Sequence, residues 1–159
     1  MNDNHDLFVS QKDSRWKDVK LIEGKDYTIG SSGCLITSLT NCYNLSNYIN
    51  AECKHCLILD TPATMLERLK QYKAINQDGL VIWSAAEKAL NMEVQPFDAI
   101  PDPYFNYQIC QFVNNGYAHF SNLIKYTENE VLIYDVYSGT LRELLKNQVR
   151  RYINLRFRS

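Results

Sequence analysis

At 159 residues, with 45% hydrophobic and 22% charged side chains, the chain is sized for one globular domain with its own core. A formal net charge of −1 leaves no broad cationic face for nucleic acid or an anionic membrane, and no run approaches the roughly 20 apolar residues of a membrane helix. The start "MNDNHDLFVSQKD" is acidic and polar, so no secretory signal is expected, and a cytoplasmic location is. Release on lysis, or packaging within a larger particle, would leave no trace in the sequence. The five cysteines are odd in number, so at least one lies outside any intramolecular disulfide; without a signal all are expected to be reduced.

Residues 1 to 7 read as a loose leader and residues 8 to 159 as a single domain. "FVSQKDSRWKDV" predicts a short extended stretch ending in a polar turn, and "EGKDYTIG" a connecting loop with a short strand. From Cys34 the apolar Leu35, Ile36, Leu39, Cys42 and Tyr43 recur at the spacing of an amphipathic helix. Thr61 and Pro62 then have the order of a cap and first helical position, ahead of Met65, Leu66 and Leu69 on one face. A third helix is predicted after Gly79, with Trp83, Ala86 and Leu90 turned inward. "EVQPFDAIPDPYFNY" holds three of the four prolines and is expected to be irregular. Beyond it "QICQFVNNG", "YAHFSNLIKY" and "EVLIYDVYSG" read as strands separated by turns, before a last helix or strand pair. The basic residues Lys146, Arg150, Arg151, Arg156 and Arg158 are interleaved with apolar ones there, which predicts a solvated face. Helices first and an antiparallel sheet second make an α+β domain.

Chemistry is suggested at Cys34. It follows a glycine-containing turn at a helix start, where unpaired N–H groups and the positive dipole end favour a thiolate. A small buried residue would fit the same position. A nucleophile also needs a base, and three histidines are available. His5 lies in the leader and His55 on a polar stretch, whereas His119 opens a strand with apolar and aromatic neighbours. Asp135 ends the next strand, so antiparallel pairing would bring it beside His119, where it can orient an imidazole and stabilise its cation.

The ordered set "VSQKDSRWKDV", "YTIGSSGCLITSLTN", "TPATMLERLKQ", "AHFSNLIKY" and "LIYDVYSG" resembles papain-like cysteine peptidases of the bacteriocin-processing, double-glycine type. More narrowly, it resembles their stand-alone relatives, which are not fused to a transporter and often occur in bacterial and phage proteins. It covers nearly the whole chain and implies a papain-like fold, with N-terminal helices packed on a C-terminal antiparallel sheet. It implies Cys34 as nucleophile, His119 as base and then acid, Asp135 as the orienting acid, and Gln11 as oxyanion donor beside the Cys34 N–H. Trp16 would anchor the core. The chain departs from the family in Ala118, where glycine usually precedes the histidine, and in Val136, where proline usually follows the aspartate. Ser121 is also more polar than its strand leads one to expect.

The implied activity is cleavage of a peptide bond with no cofactor and no metal. The substrate expected is a peptide or protein, either a leader or precursor or a peptide of the cell wall. The alternative is a non-catalytic binding or structural module that keeps the fold, such as a phage-particle component. A related cell-wall class uses a second histidine as its third polar residue, and no histidine follows His119. "CKHC", residues 53 to 56, lacks the second Cys-x-x-Cys of a zinc site and the βαβ setting of a redox motif, so free loop thiols are expected. Among the eleven tyrosines, Tyr107, Tyr117 and Tyr137 are the candidates for a substrate wall.

Overall fold

The structure, a computed structural model, describes residues 7–158, so His5 and all but the last residue of the expected leader lie outside the described residues. One-turn helix α1 (Ile29–Ser32) leads into α2 (Cys34–Asn50), followed by α3 (Pro62–Gln71) and α4 (Trp83–Leu90). Six strands follow: β1 (Met92–Asp98), β2 (Tyr107–Asn114), β3 (Tyr117–Tyr126), β4 (Val131–Asp135), β5 (Thr140–Leu144) and β6 (Val149–Phe157). They pair antiparallel in the order β1-β6-β2-β3-β4-β5. The chain is therefore α+β, with its helices before its sheet.

Local sequence explains most of the elements. Thr61 caps α3 by accepting from the Thr64 N–H, Pro62 takes the first position, and Met65, Leu66 and Leu69 are buried as their spacing predicts. Helix α4 begins at Trp83, later than expected, because Val81 bridges Ile75 and the Ile82 N–H is held by the Ala74 carbonyl. The stretch at residues 11 to 18 is a run of turns where an extended segment was expected. Asp13 drives this: its carbonyl accepts from the Trp16 and Lys17 N–H groups, and its carboxylate from the Arg15 N–H. The proline-rich segment also differs from expectation, since Pro96 lies inside β1. β1 is an edge strand paired only with β6, and its register shifts between Gln95 and Asp98, so the missing N–H interrupts little. The chain ends in two strands, β5 and β6, which pair with other strands and not with each other, and Arg150, Arg151, Arg156 and Arg158 are exposed.

The sheet curls. In a flat sheet β5 and β6 would lie four strand spacings apart, roughly 19 Å. Only residues 145 to 148 connect them, three of them in a 3₁₀ turn, and that link spans roughly 13 Å. The bend creates two cores. Ile36, Leu39, Met65, Leu69 and Leu90 from the helices pack with Met92, Ile109, Ile153 and Leu155. A second cluster, Cys110, Phe112, Val131, Ile133, Leu144 and Tyr152, comes from strands alone.

Helix α2 is buried on more than the apolar face its periodicity predicts: Thr37, Ser38, Thr40, Asn41 and Asn44 are also inside. Asn41 accepts from the Val9 N–H (2.8 Å), and its Nδ2 donates to the Val9 carbonyl (3.2 Å) and to Asn122 Oδ1 (2.8 Å). Asn122 on β3 returns Nδ2 to the Ser38 carbonyl at 2.9 Å. These bonds fix α2 against β3 and hold the segment before Gln11 on both. Asn41→Leu would orphan Asn122 Oδ1 and both polar groups of Val9. We expect a loss on the order of 3 kcal/mol in urea unfolding, read as a lower midpoint at unchanged slope.

Candidate active site

The turn before α2 has no room for a side chain at Gly30 or Gly33. Thr28 caps α1 through a capping box with Ser31, and the Gly33 N–H closes the turn on the Ile29 carbonyl. A Cβ on Gly33 would lie 2.5 Å from the Ile29 carbonyl oxygen, and one on Gly30 would lie 2.9 Å from that of Lys17. Glycine at 30 lets this turn press onto Lys17, and glycine at 33 lets it close on Ile29, with Cys34 as the first residue of α2. Gly33→Ala must move that junction.

Cys34 is half-buried and unpaired. The other unpaired cysteines among the described residues, Cys42 and Cys110, are buried, and burial pushes both thiols up to about 12. Cys42 is a core residue, as expected, and accepts a 3.3 Å hydrogen bond from Asn122 Nδ2.

His119, 8% exposed, lies on β3 opposite Phe112, whose ring meets the imidazole edge-on at 5.3 Å between centroids. Its Nε2 is 3.0 Å from Asp135 Oδ1, the contact that antiparallel pairing of the two strands predicts. The Cys34 side chain lies near enough to the imidazole to favour its protonated form. With Nε2 taken by Asp135, Nδ1 is the nitrogen left for the thiol. Burial disfavours the imidazolium, but the hydrogen bonds and charges of Asp135 and Cys34 outweigh it and raise His119 from 6.5 to about 9. Asp135 responds in the opposite sense. Desolvation opposes its charge, while bonds from His119 and the Tyr137 and Ser138 backbone, with the His119 charge, lower it to about 2.

Asp135, 3% exposed, is gripped from several sides. Oδ1 accepts the Tyr137 N–H at 2.9 Å, and Arg142 Nη1 approaches Oδ2 at 3.4 Å. The next residue explains two sequence features at once. The Val136 N–H donates to Ser121 Oγ at 3.2 Å, a bond that proline at this position could not make. Ser121 is thus the buried acceptor that matches Val136. The Val136 carbonyl accepts from the Gln11 N–H and from Ser10 Oγ, both at 2.8 Å. Trp16, 3% exposed and in the core as expected, donates Nε1 to the Ser10 carbonyl at 2.8 Å.

Gln11 is therefore tied by its backbone to the Asp135 corner and by its side chain to the turn before Cys34. Nε2 donates to the Gly30 carbonyl at 3.0 Å and more weakly to that of Ile29 at 3.4 Å. Its Oε1 is buried without a hydrogen-bond partner among the described residues.

Other expectations fare differently. Tyr137 stands at the site, 6.0 Å from the His119 ring. Tyr117 is 79% exposed, and Tyr107 packs on Phe157 and lines a cleft of about 550 Å3 with Phe105, Leu123 and Tyr126. Cys53 and Cys56, expected as free thiols, form a disulfide, because the 3₁₀ turn Lys54–Cys56 brings their Cα atoms to 5.4 Å. Asn41, Asn122, Ser121 and Arg142 were not singled out as contributors to the site. The asparagine at 41 had a signal, since it stands seven residues after Cys34, two turns along the same helix face. Among the described residues no helix is long and apolar enough to cross a membrane. Compared with protein-family models and with curated proteins, the sequence has no match, and the chemistry rests on this geometry.

Proposed function

We propose that this protein is a papain-like cysteine peptidase or amidase that cleaves a peptide bond through Cys34, His119 and Asp135. The observation that carries the reading is a single imidazole held on Nε2 by a buried carboxylate, with the half-buried, unpaired thiol of Cys34 near enough to favour its protonated form. Nδ1 of His119 takes the thiol proton as sulfur attacks the carbonyl carbon. The raised affinity of His119 for that proton keeps it available for the leaving amine. Asp135 fixes the ring and balances its charge. Water activated by the same imidazole then resolves the thioester.

The Cys34 backbone N–H belongs to the first turn of α2, where helix amides have no intrahelical acceptor, so it suits the developing oxyanion. In this reading the Gln11 amide adds the second donor by rotating off the Gly30 and Ile29 carbonyls toward the site. Gln11→Ala is expected to lower kcat by about 10²–10³ with a smaller change in KM, measured on a cleaved peptide. A panel of leader-type peptides and wall-derived peptides tests the function itself. Acid quenching should trap a substrate acyl group on Cys34, detected by mass. Turnover that survives Cys34→Ala would overturn the reading.

A further inference from the structure

A cleft of about 410 Å3 beside the site is lined by Lys12, Lys17, Asp18, Thr28, Gly30 and Ser31. Two of its lining residues touch neighbours of the proposed reacting groups. Gly30 holds the Gln11 amide, and Lys12 is the next residue after Gln11. The Lys12 ammonium lies 4.4 Å from the centre of the Tyr137 ring, and that ring stands against His119. Neither Lys12 nor Lys17 forms an ion pair among the described residues, although Arg15 between them is matched to Asp13 at 2.8 Å. Thr28 and Ser31 hydroxyls, already bonded to each other, add polar but uncharged walls.

We infer that this cleft binds a carboxylate on the leaving-group side of the scissile bond, with Lys12 as its principal partner and Lys17 as the second. The inference rests on the peptidase reading and deepens it. The leaving amine must meet His119, so the substrate beyond it runs toward Tyr137 and the Lys12 ammonium stacked on it. Two cations against the single carboxylate of Asp18 leave the cleft with an excess positive charge that an anionic substrate group would neutralise. That carboxylate is either an acidic side chain or the free C-terminus of a short leaving fragment.

Alkylation of Cys34 gives a test that does not depend on turnover. Rate constants are measured for anionic iodoacetate and neutral iodoacetamide in the wild type and in K12E/K17E, with adduct mass as the readout. The ratio of the two rates is expected to fall at least about tenfold in the double variant, since each reversal turns an attraction into a repulsion. An unchanged ratio overturns the inference. Protection of Cys34 from iodoacetamide separates the two sources. A C-terminally amidated glutamate peptide that protects better than its glutamine counterpart identifies a side chain. A glutamine peptide with a free terminus that does so identifies the chain end. Equal protection by all three overturns the inference. The peptidase reading fails by a different result, labelling of Cys34 that ignores His119→Ala.

Discussion

Cys34→Ser and His119→Ala are each expected to reduce peptide hydrolysis by at least about a thousandfold, the range associated with loss of a nucleophile or of its general base. The fall should appear in kcat and in kcat/KM together, because both groups act on the reacting atoms. The two losses should not add. Once either member is gone the other has nothing to act with, so the double variant should be about as slow as the worse single one. Both side chains sit outside the two main hydrophobic clusters, and neither belongs to the Asn41–Asn122 network that joins α2 to β3. Near-UV and far-UV spectra of the variants should therefore match the wild type.

Asp135→Asn is expected to move the alkaline limit of activity. His119 carries its proton up to about pH 9 because Asp135 and Cys34 favour the imidazolium over the opposing effect of burial. Without the carboxylate its affinity falls back toward 6.5. At about pH 8 that removes up to about thirtyfold of the protonated imidazole, so the upper limb of the pH–rate curve should shift to lower pH. The same pair links stability to pH. His119 is raised in the folded state, so its contribution is full below 6.5 and is lost as pH rises through about 9. Asp135 is lowered, so its contribution is full above 3.8 and is lost as pH falls toward about 2. These are two views of one interaction and are not summed. Urea unfolding should show the wild type losing up to about 3 kcal/mol between about pH 6.5 and 9, with a much flatter curve for Asp135→Asn. Equal slopes for the two proteins would contradict the assignment.

Arg142 bears on the same balance, because its guanidinium stands 3.4 Å from the second oxygen of Asp135 and over the Phe112 ring that backs His119. It holds the carboxylate in place while sharing its charge.

Period and capping made much of the fold legible. Thr61 and Pro62 start α3 where their chemistry says a helix starts, and the β-rich runs around His119 and Asp135, bounded by turn signals, form two strands whose pairing brings the residues together. Position within the sheet was not legible. Pro96 argues against a strand only where both edges are paired, and nothing local says that β1 has a free edge. The disulfide was hidden for a similar reason: "CKHC" shows spacing, while the turn that closes it is set by backbone geometry at Lys54–Cys56. At the site, the proposed reacting side chains stood out by type and order. Their supports could not, because Ser121 and Arg142 reach Asp135's corner through strand register, and Asn41 looks like an ordinary polar helix residue until both its partners are in place.

The central claim is that Cys34 and His119 form one chemical unit. The most direct measurement is the rate of iodoacetamide labelling at Cys34 from about pH 5 to 9 in the wild type and in His119→Ala, followed by mass. At about pH 6 the wild-type thiol should react at least about a hundredfold faster than a cysteine in a short unstructured peptide, and His119→Ala should abolish that advantage. Labelling at the rate of the peptide cysteine, equal with and without His119, would contradict the account.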